Sequence, residues 1–313
     1  MSIVLLTTVC RPFGGKGEGD SVAAELFHAQ VTRSQGIFSY RQVIRCWGLD
    51  YIAENIEAPA VVLHYPSERE FVREIRPRRY DYIGINFVVA TFHKVCRMAE
   101  IIRRHSPRSK IILGGYGTVL SDDVLGPFSD LICREEWIRY MRRLLGENGK
   151  GSIRHAYTPI ESPRVYSFPL KTKVAHITGG LGCPNGCDFC CTSHYFKRRY
   201  IPFIRSGREL YETMRMMERK AIEVGDSLSG FIFIDEDFFI HEKRAREFLD
   251  CVREGVVSPS IMGFGSVRGL SQFTADEIAE MGFDIIWTAF EGTHSGYKKL
   301  RGAKLDHLYR DLK

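Results

Sequence analysis

No stretch of the chain approaches the roughly 20 consecutive apolar residues of a membrane span, so a transmembrane helix is not expected. The opening Ser2-Ile-Val-Leu-Leu-Thr-Thr-Val-Cys10 lacks a basic leader and a small-residue cleavage site, which argues against a secretory signal peptide. Neither G-x-G-x-x-G nor a Walker pattern ending in Gly-Lys-Ser/Thr is present. The glycine-rich run Gly14–Ser21 therefore reads as a flexible loop rather than a phosphate cradle. No nucleic-acid-binding module is recognisable, and a net charge of +6 permits an anionic ligand without demanding one. What is present is ordinary for a globular chain: 313 residues, 44% hydrophobic and 26% charged, room for about two domains. The nine cysteines fall mostly in apolar or helical patterns and suit a reducing cytoplasm better than a disulfide framework.

Three of those cysteines stand apart. Cys183, Cys187 and Cys190 are spaced Cys-x3-Cys-x2-Cys within Gly180-Leu-Gly-Cys-Pro-Asn-Gly-Cys-Asp-Phe-Cys190. Lys173–Ile177 reads as a strand running into this loop, and Pro184, Asn185 and Gly186 force a turn between the first two cysteines. Three thiolates can hold three irons of a 4Fe–4S cube and leave the fourth open to a small molecule, whereas an electron-transfer ferredoxin normally supplies four. Two other readings use the same residues. Cys187 and Cys190 could form a thioredoxin-like redox pair, or a zinc ion could recruit Cys191 or His194 as a fourth ligand.

The three-cysteine loop, with an aromatic residue just before its last cysteine, resembles the radical S-adenosylmethionine (SAM) superfamily. That resemblance implies that Cys183, Cys187 and Cys190 ligate a 4Fe–4S cluster whose open iron chelates SAM, with Phe189 near the adenine. It also implies reductive cleavage of SAM to a 5′-deoxyadenosyl radical, an external electron donor of flavodoxin or ferredoxin type, and a small-molecule substrate.

Upstream, strand and helix alternate. Ile3–Val9, Ala60–His64, Tyr82–Phe87 and Lys110–Leu113 read as strands; Gly48–Asn55, Ser67–Ile75 and Phe92–His105 read as helices. The expected fold class is α/β, with a doubly wound, Rossmann-like parallel sheet over residues 1–145. Four loops converge at its carboxyl edge: Cys10–Asp20, Tyr65–Pro66, Asn86–Thr91 and Gly114–Thr118. Gly114-Gly115, directly after a strand, would let a flat ligand approach the backbone. This half resembles the cobalamin-binding domain that precedes the barrel in one large radical SAM class. There a Ser/Thr-rich stretch and a Gly-Gly line the slot for the nucleotide tail, which assigns Asn86, Gly114 and Gly115 to cobalamin. The Asp-x-His-x-x-Gly motif that donates a histidine to cobalt is missing. A Rossmann-like domain without a corrinoid is the alternative.

Residues 146–170 read as a turn-rich linker, and residues 171–313 as a β/α barrel of about four units. Its further strands are Gly230–Asp235, Ile261–Gly265 and Asp284–Ala289; its helices are Arg208–Val224, Glu242–Arg253 and Thr274–Met281, with a last one at Asp306–Leu312. The residues after those strands are the candidate SAM contacts that the resemblance implies. Asp235, Glu236 and Asp237 would meet the ammonium, Ser266 the ribose, Arg268 the carboxylate, and Glu291 would face the site. Cys191 and His194 are candidates for the surroundings of the cluster. The basic run Tyr195–Tyr200, with Arg205 and Arg208, suits either an anionic substrate or a solvated face. The family's barrel usually has six units, so the expectation is a fragment, a truncated homologue, or a barrel completed by a partner chain. The expected function is a cobalamin-dependent radical SAM methyltransferase. The alternatives are a radical SAM cyclase or rearrangement enzyme, and a non-catalytic corrinoid- or cluster-binding partner subunit.

Overall fold

The computed structural model describes residues 2–11, 45–160, 164–165, 168–169, 172–255 and 259–289. Gly14–Ser21, Glu291 and Asp306–Leu312 lie outside them. The chain divides into two compact units, residues 1–156 with 163–170 and residues 157–162 with 171–313.

In the first unit β1 (Val4–Thr8) has all five residues buried, because it is central in a parallel sheet and covered on both faces. Around it lie α1 (Trp47–Glu54), β2 (Ala60–Leu63), α2 (Glu68–Ile75), β3 (Tyr82–Asn86), α3 (Phe92–His105), β4 (Lys110–Gly114), β5 (Leu131–Ile132) and α4 (Trp137–Leu145). The sheet runs β2-β1-β3-β4-β5, all parallel. Strand order reverses between β1 and β3, which puts the natural crevice of such a sheet at their carboxyl ends. The expected strands and helices are found within a residue or so of their bounds. The reasons are local: Ser67 and Glu70 close a capping box at the start of α2, and α3 buries Val95, Met98, Ala99 and Ile102 at helical spacing. The sequence reading did not anticipate β5 or α4. The latter is capped by Glu136, whose carboxylate accepts the Ile138 and Arg139 N–H groups, and ends at Gly146 in the left-handed region (φ 74°).

In the second unit β6 (Thr172–Ile177), α5 (Gly207–Glu223), β7 (Ser227–Phe233), α6 (Glu242–Glu254), β8 (Ile261–Phe264), α7 (Ala275–Glu280) and β9 (Phe283–Trp287) alternate in order. The four strands are parallel and adjacent in sequence order, an arc of a β/α barrel. Beneath the arc Phe233, Phe238, Phe239, Phe248 and Phe283 pack ring against ring; Phe283 lies 5.0 Å from Phe238 and 4.9 Å from Phe239, centroid to centroid. Ser206 caps α5, and Thr274 with Glu277 forms a capping box on α7. The α/β class expected from the sequence is the class observed, with a Rossmann-like sheet followed by part of a β/α barrel.

Candidate functional site

The loop after β6 folds on itself through short contacts. Ser193 Oγ donates to the Cys183 carbonyl (2.8 Å) and accepts the Gly186 N–H (2.9 Å), closing the turn in which Gly186 takes φ 68°. The Cys190 N–H donates to the Cys187 carbonyl (3.1 Å), and His194 Nε2 donates to the same oxygen (3.0 Å). Cys183, Cys187 and Cys190 thereby line one cavity of about 260 Å³. That is below the roughly 300–1,000 Å³ that encloses a drug-sized ligand, so it suits a compact group or one end of a larger molecule. Phe189, 43% exposed, stands on its wall. The other walls come from the carboxyl ends of the neighbouring strands: Glu236 after β7, Phe264 to Val267 after β8, and Trp287 to Ala289 at β9.

The acidic segment after β7 splits by direction. Asp235, 2% exposed, pairs with Arg244 of α6 (3.0 Å) and accepts the Tyr200 hydroxyl (2.6 Å), while Arg244 Nη1 donates to that hydroxyl (2.6 Å). Burial works against the Arg244 charge, but Asp235 and Tyr200 more than offset it; burial also raises the Tyr200 phenol. Asp237 also points inward, to Asn185 and the backbone of Ser266. Of the three, Glu236 is the one that lines the cavity. It is open at its surface yet recessed in the wall, and desolvation there raises its carboxyl, countered in part by a hydrogen bond from Thr192.

Ser266 lines the cavity as well, although its hydroxyl is already engaged as the N-cap of the turn Val267–Leu270, accepting the Gly269 N–H (3.1 Å). Arg268 is exposed and lines a smaller adjoining recess of about 190 Å³ with Pro184, Asn185 and Ile240, not the cysteine cavity itself. Glu291 is outside the described residues. Cys191 is exposed, and burial raises its thiol. Sequence reasoning took Asn185 only as a turn former, placed Tyr200 only in the basic, aromatic run, and gave no role to Thr192, Ser193 or Arg244.

The carboxyl edge of the first sheet is differently occupied. The Trp137 indole lies across Gly114 and Gly84, and a Cβ on Gly114 would fall inside the ring. Gly115 (φ 85°) sits against the Asn86 side chain and the Phe87 carbonyl. Asn86 Nδ2 donates to Cys46 Sγ (2.9 Å), whose thiol is raised chiefly by burial. His64 accepts the Cys46 N–H at Nδ1 (3.1 Å) and donates from Nε2 to Asp50 (3.1 Å), so both ring nitrogens are engaged. As they stand, Asn86, Gly114 and Gly115 hold one another and Trp137, and do not form an open slot for a flat group.

The cysteine loop fits a cluster better than a single ion. Among the described residues no three His, Cys, Asp or Glu side chains converge to hold one metal ion. A tetrahedral zinc site needs its donors at about 2.0–2.3 Å from one point; a cube takes its thiolates on separate irons, and the three cysteines here line one cavity. Burial, above the other influences, pushes Cys183 up to about 12; the Asp237 charge adds to this and the Asn185 backbone N–H opposes it.

No protein-family profile matches the chain. It is 24% identical over 221 residues to an anaerobic magnesium-protoporphyrin IX monomethyl ester cyclase of Rubrivivax gelatinosus, covering 59% of this chain and 38% of the relative. It is 21% identical over 233 residues to a bacteriochlorophyllide d C-8(2)-methyltransferase of Chlorobaculum tepidum, covering 68% and 50%. The chain thus spans half or less of the length of these curated relatives. In fold it is similar to OxsB, a cobalamin-dependent SAM radical enzyme. The form with aqua-cobalamin and SAM bound gives a TM-score of 0.62 at 12% identity, over 94% of this chain and 44% of that one. The form with aqua-cobalamin alone gives 0.60 at 13%. The chain, with the three-cysteine loop at the end of its first barrel strand, is thus similar in sequence to a cyclase and a methyltransferase and in fold to a cobalamin-dependent SAM radical enzyme.

Proposed function

We propose that this chain is a radical SAM enzyme in which Cys183, Cys187 and Cys190 hold a 4Fe–4S cluster and SAM binds beside it. The observation that carries the reading is the gathering of those three thiols, Phe189 and Glu236 around one cavity at the carboxyl ends of parallel strands. When bound and reduced by a flavodoxin- or ferredoxin-type donor, the cluster supplies the electron for reductive cleavage of SAM. The protein's part is positioning. Glu236 receives the ammonium through a charge-assisted hydrogen bond. Phe189 offers a ring face to the adenine, and the Phe264–Val267 segment lines the ribose side, with Ser266 in it. Arg268 takes the carboxylate from the adjoining recess, and the Asp235–Arg244–Tyr200 group braces the wall from behind.

The reaction served is methyl transfer to an unactivated carbon of a small-molecule substrate; cobalamin, were it held at the carboxyl edge of the first sheet, would supply the methyl group. The methyltransferase relative and the cobalamin-bound structures support this; the cyclase relative supports ring closure on the same apparatus as the second reading. Trp137 has to leave the trough before a flat group can lie on Gly114, so no step is assigned there. Residues 1–145 would be the corrinoid-binding part, 146–170 the linker and 171–313 the barrel. A cytoplasmic setting belongs to the same proposal. Among the described residues, which include all nine cysteines, no disulfide forms, and no described helix is long and apolar enough to cross a membrane.

Anaerobic reconstitution with iron and sulfide, then dithionite and SAM, tests the reading. We expect 5′-deoxyadenosine in proportion to cluster content and none from Cys187→Ala. A full cluster that leaves SAM intact would turn the proposal toward a cluster-binding partner subunit.

A further inference from the structure

Asp237, 3% exposed, joins two walls of the cysteine cavity. Its Oδ2 accepts the side-chain amide of Asn185 (2.8 Å), a residue inside the Cys183–Cys187 turn. Its Oδ1 accepts the Ser266 N–H (3.1 Å) at the start of the turn that forms the facing wall. Both partners are donors, which is the arrangement an ionised, acceptor-only carboxylate requires. Gly269 packs close against it, where a Cβ would lie 2.9 Å from Oδ1. This is a buried carboxylate tied to the loop that carries the first cysteine.

We infer that Asp237 is a positioning residue with two effects: it fixes the cysteine turn through Asn185, and its charge keeps the group held by the three thiolates strongly reducing. The inference rests on the cluster reading above. Reduction adds negative charge to the cluster, and a fixed carboxylate behind Cys183 opposes that addition. Cluster potentials follow net charge and the hydrogen bonding around the sulfurs, and both pass through this contact. Positioning acts on the loop, because a turn tied at Asn185 presents Cys183 and Cys187 in one arrangement before iron arrives.

Two variants separate the effects. Asp237→Asn removes the charge and keeps the shape. The buried Asn185 Oδ1, which has no hydrogen-bond partner among the described residues, can turn to accept the new amide and preserve the tie. Asn185→Ala removes the tie and keeps the charge. Both are reconstituted anaerobically, and the cluster's midpoint potential and its rate of iron loss to a chelator are measured. We expect Asp237→Asn to hold full iron with its potential shifted positive. We expect Asn185→Ala to lose iron about ten- to hundredfold faster, as supporting contacts of metal ligands typically do, with a smaller change in potential. An unchanged or more negative potential in Asp237→Asn overturns the charge effect, and wild-type iron retention in Asn185→Ala overturns the tie. Wild-type protein that assembles no cluster defeats the reading beneath them both, and is told apart by its iron content alone.

Discussion

Each unit carries a pair of glycines just beyond a parallel strand: Gly114-Gly115 at the end of β4, and Gly179-Gly180 two residues after β6. At the first pair the chain's own Trp137 indole lies on the backbone; at the second the Asp235–Arg244 pair packs on Gly179 and the Tyr200 ring on Gly180. Two glycines after a strand therefore mark a close approach in both places, and the approaching group is the protein itself. The two pairs differ in where the chain goes next. Beyond Gly115 it turns into packed backbone around Asn86 and Phe87, whereas beyond Gly180 it opens into a cavity lined by three thiols. The glycines report packing, and the donor atoms beyond them report chemistry.

The comparison can be pressed hardest at the ion pair. Arg244→Met strands the Asp235 carboxylate in the interior, and we expect a loss of about 3–5 kcal/mol in denaturant unfolding. The exposed Arg253–Glu280 pair, both side chains about half accessible, is the control; Arg253→Met should cost no more than about 1 kcal/mol. Equal losses would show that the brace behind the cavity is not special. Next in size is Trp137→Ala, which empties the trough over Gly84 and Gly114. Because the indole is only half-buried, we expect a loss near the low end of about 3–5 kcal/mol. The same variant should bind corrinoid at least as tightly as wild type in a spectral titration; weaker binding would mean that Trp137 is itself part of the corrinoid seat. Smallest is Glu236→Gln, on the open side of the acidic segment. Losing one charge-assisted hydrogen bond worth about 1.4 kcal/mol should weaken SAM binding roughly tenfold in calorimetry and leave stability unchanged. No change in affinity would remove Glu236 from the ammonium site.

The fold was largely legible because its strands are short apolar runs and its helices announce themselves with caps such as Ser67 and Thr274. Helix α4 was harder to read. Its role depends on Trp137 reaching Gly84 and Gly114, partners 53 and 23 positions back in the chain, a contact that no local pattern reveals. The cysteine spacing carried the site without help from conformation. The acidic segment was half legible: continuing the period-two alternation of β7 sets Asp235 and Asp237 on one side and Glu236 on the other. Which side meets the cavity is decided by Arg244 and Tyr200, 9 and 35 residues away, and by Asn185 in the loop itself.

The central claim is that three thiolates of the second unit, and not a fourth, hold one cluster. Iron and sulfide should be counted per chain after anaerobic reconstitution of the wild type, Cys187→Ala and the neighbouring Cys191→Ala. The account predicts a full cluster in the wild type, most of it kept in Cys191→Ala, and its loss in Cys187→Ala. Equal loss from both variants would contradict it.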